Sequence, residues 1–334
     1  MITNPLIFPK ASVTTLQKLM DEIFELFPDH YPVLEEEEEN YWKFKLEWPS
    51  NKEWYVDEEL EMNALQQYRI QLHDLPQYCE IYDWGNIDFI FSMFHSRSLI
   101  AASRTISRMQ GKPLTWIVHV DDHTDLMDTI LEPTGTEGIL YDNIFQQTLR
   151  MDQPLSIESA IDRGVINKGN FLSAYVLAYN SNRLIHIHSS IEDSISWLLP
   201  EEQEFNFAGR YFNGSGIASQ KYEHSGAWQF QQISQLPLDL PLSNQDSVWL
   251  DIDLDAFCNR YDGDSDRRQL LETAEEKNRT VEEINLFLNH LSNASWLDYV
   301  KTVSIAASPG FFPSSYWSYS IPTIIDKVRD VLVG

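Results

Sequence analysis

Two cysteines in 334 residues, Cys79 and Cys258, are too few for a disulfide framework or a thiolate zinc site. Cys258 follows an Asp-rich strand and reads as a buried apolar filler. No run of about 18 consecutive apolar residues occurs, which excludes a membrane-spanning helix of that kind. The start, Met1-Ile2-Thr3-Asn4-Pro5, lacks a basic segment followed by an apolar one and is not expected to act as a secretory signal. These absences lead to the expectation of a reducing, cytoplasmic setting. There is no glycine-rich phosphate loop, no Gly-x-Ser-x-Gly elbow and no internal repeat. Basic side chains are scarce: Lys+Arg total 24 against 51 for Asp+Glu, a formal net charge of -27. Such a surface repels nucleic acid and anionic lipid and attracts cations, whether metals, guanidinium or amine substrates, or basic peptides. Plain solubility also explains an acidic surface, so charge alone does not select a substrate.

What the chain does have is Val118-His119-Val120-Asp121-Asp122-His123-Thr124-Asp125-Leu126. The β-branched and aromatic run Thr115-Trp116-Ile117-Val118 predicts a buried strand. Asp121, His123 and Asp125 alternate after it, and residues two apart on an extended chain point the same way. Two carboxylates and an imidazole aimed at one point make a set of ligands for a divalent metal. They equally fit a polar strand end with an Asp-rich turn, and the stretch alone leaves both readings open. Asp122 faces away and is not assigned to a metal. A second stretch, Ser247-Val248-Trp249-Leu250-Asp251-Ile252-Asp253-Leu254-Asp255-Ala256-Phe257, is another apolar strand with alternating acids. Three like charges on one edge repel each other unless a cation sits between them, which favours the metal reading.

Hydrophobic residues at 43% and aromatics at 13% can build a sizeable core in one large α/β domain. An amphipathic helix is expected over 12–27, capped by Ser12 and stopped by Pro28. The acidic run 35–39 reads as a solvated loop, with a docking site for a basic partner as the rival. Tyr41, Trp42, Phe44, Leu46 and Trp48 predict short strands. Residues 1–80 then form an accessory segment packed on a core spanning 81–334. In that core an apolar strand over 87–94 leads to His95-Ser96. A helix over 97–110 stops at Gly111 and Pro113, and a strand over 114–121 follows. This βαβ pattern implies a parallel pair. Residues 126–150 read as a loop over the strand end. Helices are expected at 156–163 and 170–179, and a strand at 184–188. On that strand His186 and His188 are read as a hydrogen-bonded core pair rather than ligands. Residues 200–245 read as an irregular excursion. A helical pair is expected over 266–277 and 281–291, with Thr280 and Glu283 forming a capping box at the second. A strand over 300–306 breaks at Ser308-Pro309-Gly310, and an amphipathic helix covers 321–332.

In a parallel α/β sheet, ligand sites form outside the carboxyl ends of the strands. Three expected strand ends carry His95, then Asp121, His123 and Asp125, then Asp253 and Asp255. Four carboxylates and two imidazoles suit a pair of hard-to-borderline cations, with manganese the best fit and zinc, iron or cobalt as alternatives. Such a pair ionises a water held between the ions near neutral pH.

The pattern resembles the ureohydrolase, or arginase-like, superfamily. His95-Ser96 is similar to its first motif, Asp121-Asp122-His123-Thr124-Asp125 to the second, and Asp253-Leu254-Asp255 to the third. Within it the chain most resembles a divergent branch that includes the peptide arginases of ribosomal-peptide biosynthesis. The segments carrying that likeness are His119 to Leu126, Leu250 to Phe257, and Ile305-Ala306-Ala307-Ser308-Pro309. It covers roughly residues 85–315. The resemblance implies a three-layer α/β/α fold with a mostly parallel central sheet, of the arginase/deacetylase kind, and two manganese ions per chain. It implies that Asp121 and Asp253 bridge the metals, that His95 and Asp125 complete one, and that His123 and Asp255 complete the other. Asp125 would also take a proton from the bridging hydroxide and pass it to the leaving amine. Asp251 would sit behind the ligands and orient them.

Two departures from true arginases matter. Their last strand carries a Glu-x-Asn-Pro segment whose Glu grips the guanidinium, whereas Ser304 to Pro309 here holds no carboxylate. Their proton-shuttling His loop has no clear counterpart after Asp125. Glu132 and Glu137 are the candidate guanidinium partners. The losses disfavour free arginine and are compatible with arginine inside a peptide. The expected activity is therefore manganese-dependent hydrolysis of peptidyl arginine to ornithine and urea, with an arginine-containing precursor peptide as partner. The rivals are a one-metal, deacetylase-like amidohydrolase acting on acylated amines and a non-catalytic, metal-stabilised binding protein.

Overall fold

The structure is a computed structural model. It describes residues 5–12, 15–50, 55, 57, 60, 65–179, 183–188, 194–207, 210–221, 228–233, 236–260 and 273–334. In chain order the elements are β1 (Leu6–Pro9), α1 (Leu16–Leu26), β2 (Tyr31–Glu37), β3 (Tyr41–Glu47), a single helical turn α2 (Gln66–Tyr68), β4 (Cys79–Trp84), β5 (Ile87–Ser92) and α3 (Ser98–Arg108). Then come β6 (Trp116–Val120), β7 (Leu131–Pro133), β8 (Ile139–Asp142), β9 (Gln147–Arg150), α4 (Pro154–Asp162), α5 (Phe171–Ala178) and β10 (Arg183–His188). The chain closes with β11 (Ser194–Phe207), β12 (Arg210–Lys221), β13 (Trp228–Gln232), β14 (Val248–Asp253), α6 (Ala274–Leu291), β15 (Val300–Ala306) and α7 (Trp317–Val333).

The result is an α/β fold around one mixed, mostly parallel sheet, ordered β12-β11-β13-β10-β6-β14-β15-β5-β4. The run from β13 to β5 is parallel throughout, and the antiparallel strands β12, β11 and β4 lie outside it. β5, β6 and β14 are buried at every position, as strands covered on both faces must be. Their alternate side chains feed two apolar clusters. Ile90, Ile117 and Trp249 pack with α1, α3, α4 and α5, while Phe89, Val118 and Leu250 pack with α6 and α7. No helix among the described residues is long and apolar enough to cross a membrane.

Several expectations are corrected. β5 and β6 do not pair; β15 and β14 lie between them, because later strands insert at the sheet centre. Residues 126–150 are not a bare loop: β7, β8 and β9 form a small antiparallel sheet. Within 200–245 the strands β11, β12 and β13 extend the main sheet where an irregular excursion was expected, while 236–245 carry no helix or strand. The acidic run 35–39 lies partly in β2, where Lys43 Nζ stands 3.5 Å from both Glu35 and Glu36. The first helix is capped by Thr15, whose Oγ1 accepts from Lys18 N at 3.2 Å, while Ser12 belongs to a short 3-10 turn. α6 is one helix capped by Thr273, which accepts from Glu276 N at 3.0 Å. Thr280 sits inside it and donates to Glu276 O, so the proposed Thr280–Glu283 box does not form. Most of the helix expected over 266–277 falls outside the described residues. The N-terminal segment forms its own sheet, β1-β3-β2, and its Leu19, Phe27 and Phe44 share the core cluster of α3 to α5.

Candidate metal centre

The site lies past the carboxyl ends of β5, β6, β14 and β15. After β5 the chain turns into a 3-10 segment, His95–Arg97, before α3. The turn is pinned by buried Arg97, which donates to Asp162 Oδ1 at 2.9 Å and to the Pro76 carbonyl. After β6, Asp121 N bonds the Ile187 carbonyl at 3.1 Å and holds the strand end against β10. The next turn closes through His123 N donating to Asp121 Oδ1 at 2.5 Å. It ends at Asp125 with φ 51°, a left-handed conformation that Asp tolerates better than most residues. After β14, Asp253 accepts from Asp255 N at 3.3 Å and starts a 3-10 turn that carries Asp255. Ser308, beyond β15, donates to Asp253 Oδ2.

These turns bring all six expected ligands together. His95 Nδ1 lies 2.9 Å from Asp121 Oδ2, 3.0 Å from Asp125 Oδ2 and 3.0 Å from Asp253 Oδ2. His123 Nδ1 lies 3.4 Å from Asp121 Oδ1 and 3.1 Å from Asp255 Oδ2. His95, Asp121 and Asp125 form one group able to hold a metal ion, and Asp121, His123 and Asp255 form another, each with ligand atoms within 4.8 Å of one another. Asp121 belongs to both groups through its two oxygens. Five of the six residues are buried, and His123 is partly open, with a third of its side chain exposed.

The donor set fits a cation on its own chemistry. One ring nitrogen carries at most one proton, yet three carboxylates converge on His95 Nδ1. Asp121 Oδ2 and Asp125 Oδ2 accept no well-directed hydrogen bond, although both are buried. Buried carboxylate oxygens in that state need a positive partner.

The electrostatics say the same. Burial opposes a charged His95 ring, but Asp251 and Asp253 outweigh it and hold the pKa well above the usual imidazole value. His123 is raised in the same way, with burial outweighed by Asp255 and Asp121. Burial, reinforced by the Asp253 and Asp121 charges, pushes Asp255 well up. Burial and the Asp121 charge push Asp125 up to about 7. For Asp121 burial is outweighed by His119, His123 and His95, and for Asp251 by His95 and His119, so both stay below the ordinary carboxylate range.

The remaining expected residues are placed as follows. Asp251 stands behind the ligands, its Oδ2 3.0 Å from His95 Nε2. Asp122 turns away: its Oδ2 accepts from Asn259 Nδ2 at 2.9 Å. Glu132 lies in β7 with its Oε2 bonded to Asn143 Nδ2 at 2.7 Å, and Glu137 is exposed before β8. Neither makes a hydrogen bond or ion pair to a candidate ligand among the described residues. His186 Nε2 lies 3.0 Å from the Asp121 carbonyl, a core role, while the His188 side chain lies outside the described residues. Cys258 is buried beside Glu276.

Sequence reasoning missed four supporting side chains: His119, Ser304, Ser308 and Asn259. His119 was findable, since it precedes Asp121 by two and so shares its face. Serines and asparagines beyond strand ends leave no such signal. At the open side, Phe311 stacks edgewise on His123 at 5.1 Å, and Lys168 Nζ lies 4.5 Å from the Phe311 ring centre. Buried Asp29 from the N-terminal segment accepts from Lys168 N at 2.9 Å. Set against known proteins, the chain matches no family model and no curated protein.

Proposed function

We propose that the protein is a binuclear manganese hydrolase that cleaves the guanidinium of peptidyl arginine, releasing urea and leaving ornithine in the peptide. The observation that carries this reading is Asp121, whose two oxygens belong to two adjoining ligand groups. His95, Asp121, Asp125 and Asp253 would hold one ion, and Asp121, His123, Asp253 and Asp255 the other. The fold expected with this reading is the three-layer α/β/α arrangement of arginases and deacetylases. Two bound ions would supply the positive charge that ionises water near neutral pH.

The chain's own residues supply the rest. Asp125 is buried within the first group, its Oδ2 3.0 Å from His95 Nδ1. Its Oδ1 takes a proton from the attacking water and hands it to the departing amine nitrogen of the ornithine side chain. Phe311 and the Lys168 ammonium over its ring line the open side beside His123, where the arginine side chain would enter. The net charge of -27 favours the approach of a basic peptide.

The test is to incubate arginine-containing precursor peptides with the protein and manganese and weigh the products. Loss of one cyanamide unit per arginine is expected; no loss on any such peptide, with metal bound, sinks the activity. One observation keeps the one-metal amidohydrolase in play. Ser304 and Ser308, where arginases place their guanidinium Glu segment, are turned to Asp251 and Asp253. Counting metal decides: near two equivalents of manganese supports ureohydrolysis, near one of zinc supports deacylation.

A further inference from the structure

His119 is a member of neither of the two ligand groups just assigned, yet it is completely buried in their midst. Its position is fixed by register. His186 pairs with His119 between β10 and β6, His119 with Asp251 between β6 and β14, and Asp251 with Ser304 between β14 and β15. A polar row therefore crosses four adjacent strands at one level, directly beneath the metal ligands.

Within the row, Asp251 is the hub. Its Oδ1 accepts from Ser304 Oγ, and Ser304 Oγ in turn accepts from Trp249 Nε1 at 2.7 Å. Its Oδ2 lies 3.0 Å from His95 Nε2 and 2.8 Å from His119 Nδ1. A neutral imidazole carries one proton. If Asp251 takes the Nε2 proton of His95, then His95 Nδ1 presents its lone pair to the point where Asp121, Asp125 and Asp253 converge. A carboxylate behind a ligating His fixes its tautomer in this way. The opposite edge of His119 reaches the other half of the site. Its Nε2 lies 3.3 Å from the His123 carbonyl and 3.4 Å from Asp121 Oδ2; all its neighbours are acceptors, so a ring bonded at both nitrogens donates from both, as an imidazolium.

We propose that His119 is a positioning residue that ties Asp251, and through it His95, to the turn carrying His123, so that one buried side chain sets the aim of both ligand groups. The inference rests on reading His95 and His123 as metal ligands. His119 is also one corner of a third group, with His95 and Asp251, whose geometry alone would admit an ion. In the proposed arrangement the hydrogen bonds of Asp251 fill that place instead.

The test uses the full chain and manganese alone, without substrate. Asn at 119 can keep the bond made by Nδ1 to Asp251, Gln can reach toward the His123 carbonyl, and Leu removes both. Titration of metal-free protein should show His119→Leu weakening manganese binding by roughly 10- to 100-fold, with the number of ions at saturation unchanged. His119→Asn should restore most of the lost affinity. The spin-coupled signal of a manganese pair should persist in His119→Asn and split toward isolated-ion signals in His119→Leu at subsaturating metal. Should His119→Leu fail to fold by circular dichroism, the Asn and Gln variants decide. Affinity in His119→Asn no better than in His119→Gln overturns the brace through Asp251. Wild-type affinity in His119→Leu overturns the proposal outright, as does loss of one whole equivalent with the rest untouched, which would make His119 a ligand. Wild-type protein that binds no manganese sinks the metal reading itself, and wild-type protein that binds it but leaves peptides intact sinks only the proposed reaction.

Discussion

Asp125 combines three properties in one residue. It is buried, it is left-handed at φ 51°, and its carboxyl is pushed up to about 7 by burial and by Asp121. Asn tolerates the same backbone region, so Asp125→Asn should fold and melt much like the parent. Its turnover should fall by about 100- to 10,000-fold, the usual contribution of a positioned acid–base group; unchanged turnover would remove Asp125 from the chemistry. The pH dependence follows with a definite sign. A folded-state pKa above the ordinary carboxylate value means the folded chain keeps a proton that the unfolded chain releases. That contribution is complete below about pH 4 and is lost as pH rises through about 7. Asp255 acts in the same sense, and the raised imidazoles of His95 and His123 add to it above their ordinary value. Metal-free protein should therefore lose stability between pH 5 and pH 8, and Asp125→Asn should lose less. Denaturant melts in a chelating buffer measure both. At this scale the sequence was legible because the ligands cluster just past recognisable buried strands, although turns rather than strand alternation aim Asp121, His123 and Asp255. Alternation still pointed at His119. An isolated buried His gives no hint of its partner, and the match to Asp251 needs the pairing of two strands far apart in the chain.

Elements were legible where burial imposes a pattern. β5, β6, β14 and β15 are near-continuous apolar runs, and each is a strand of the central parallel run. β11 and β12 are not. Glu201 to Glu204 pair with Ser215 to Asn213 and Gly216 in a hairpin on the outer edge of the sheet, where exposure removes any need for apolar alternation. Strand order was equally hidden, since no local signal says that β14 and β15 enter between β5 and β6. Caps are local and were misread by about one turn at α1 and about two at α6. The corrected assignment at α6 has a direct test. Thr273→Ala should cost about 1 kcal/mol in chemical denaturation, the usual worth of a side-chain N-cap. A loss near zero would mean that the helix is capped by something other than the Thr273 hydroxyl.

At the scale of the molecule, the N-terminal segment is part of the core rather than a detachable layer. Phe8 packs on Phe207 at 5.0 Å, Phe27 on Phe145 at 6.1 Å, and Trp48 on Phe94 at 5.7 Å, one residue before His95. Asp29 holds Lys168, which reaches the rim of the site. A chain lacking residues 5–50 should therefore expose these aromatic faces. Binding of a hydrophobic dye and loss of the cooperative melt are the expected outcomes. A truncated chain that melts as sharply as the parent would establish that the rest of the chain folds without this segment. The acidic balance was readable from composition, but its weight on the substrate was not, because charge acts over the whole surface and names no contact.

The strand order carries one more consequence. β5 lies beside β15 and β6 beside β14, so His95, Asp121, Asp253 and Ser308 meet only after distant parts of the chain have been threaded together. Residues 95–125 hold one group by themselves, but the other, Asp121, His123 and Asp255, joins the ends of β6 and β14, and closing so long a loop is slow. An ion held as proposed would therefore complete its second half only on a sheet already built. If the proposed activity holds, protein folded without the ion would lie finished and idle, switched on by supply without new synthesis.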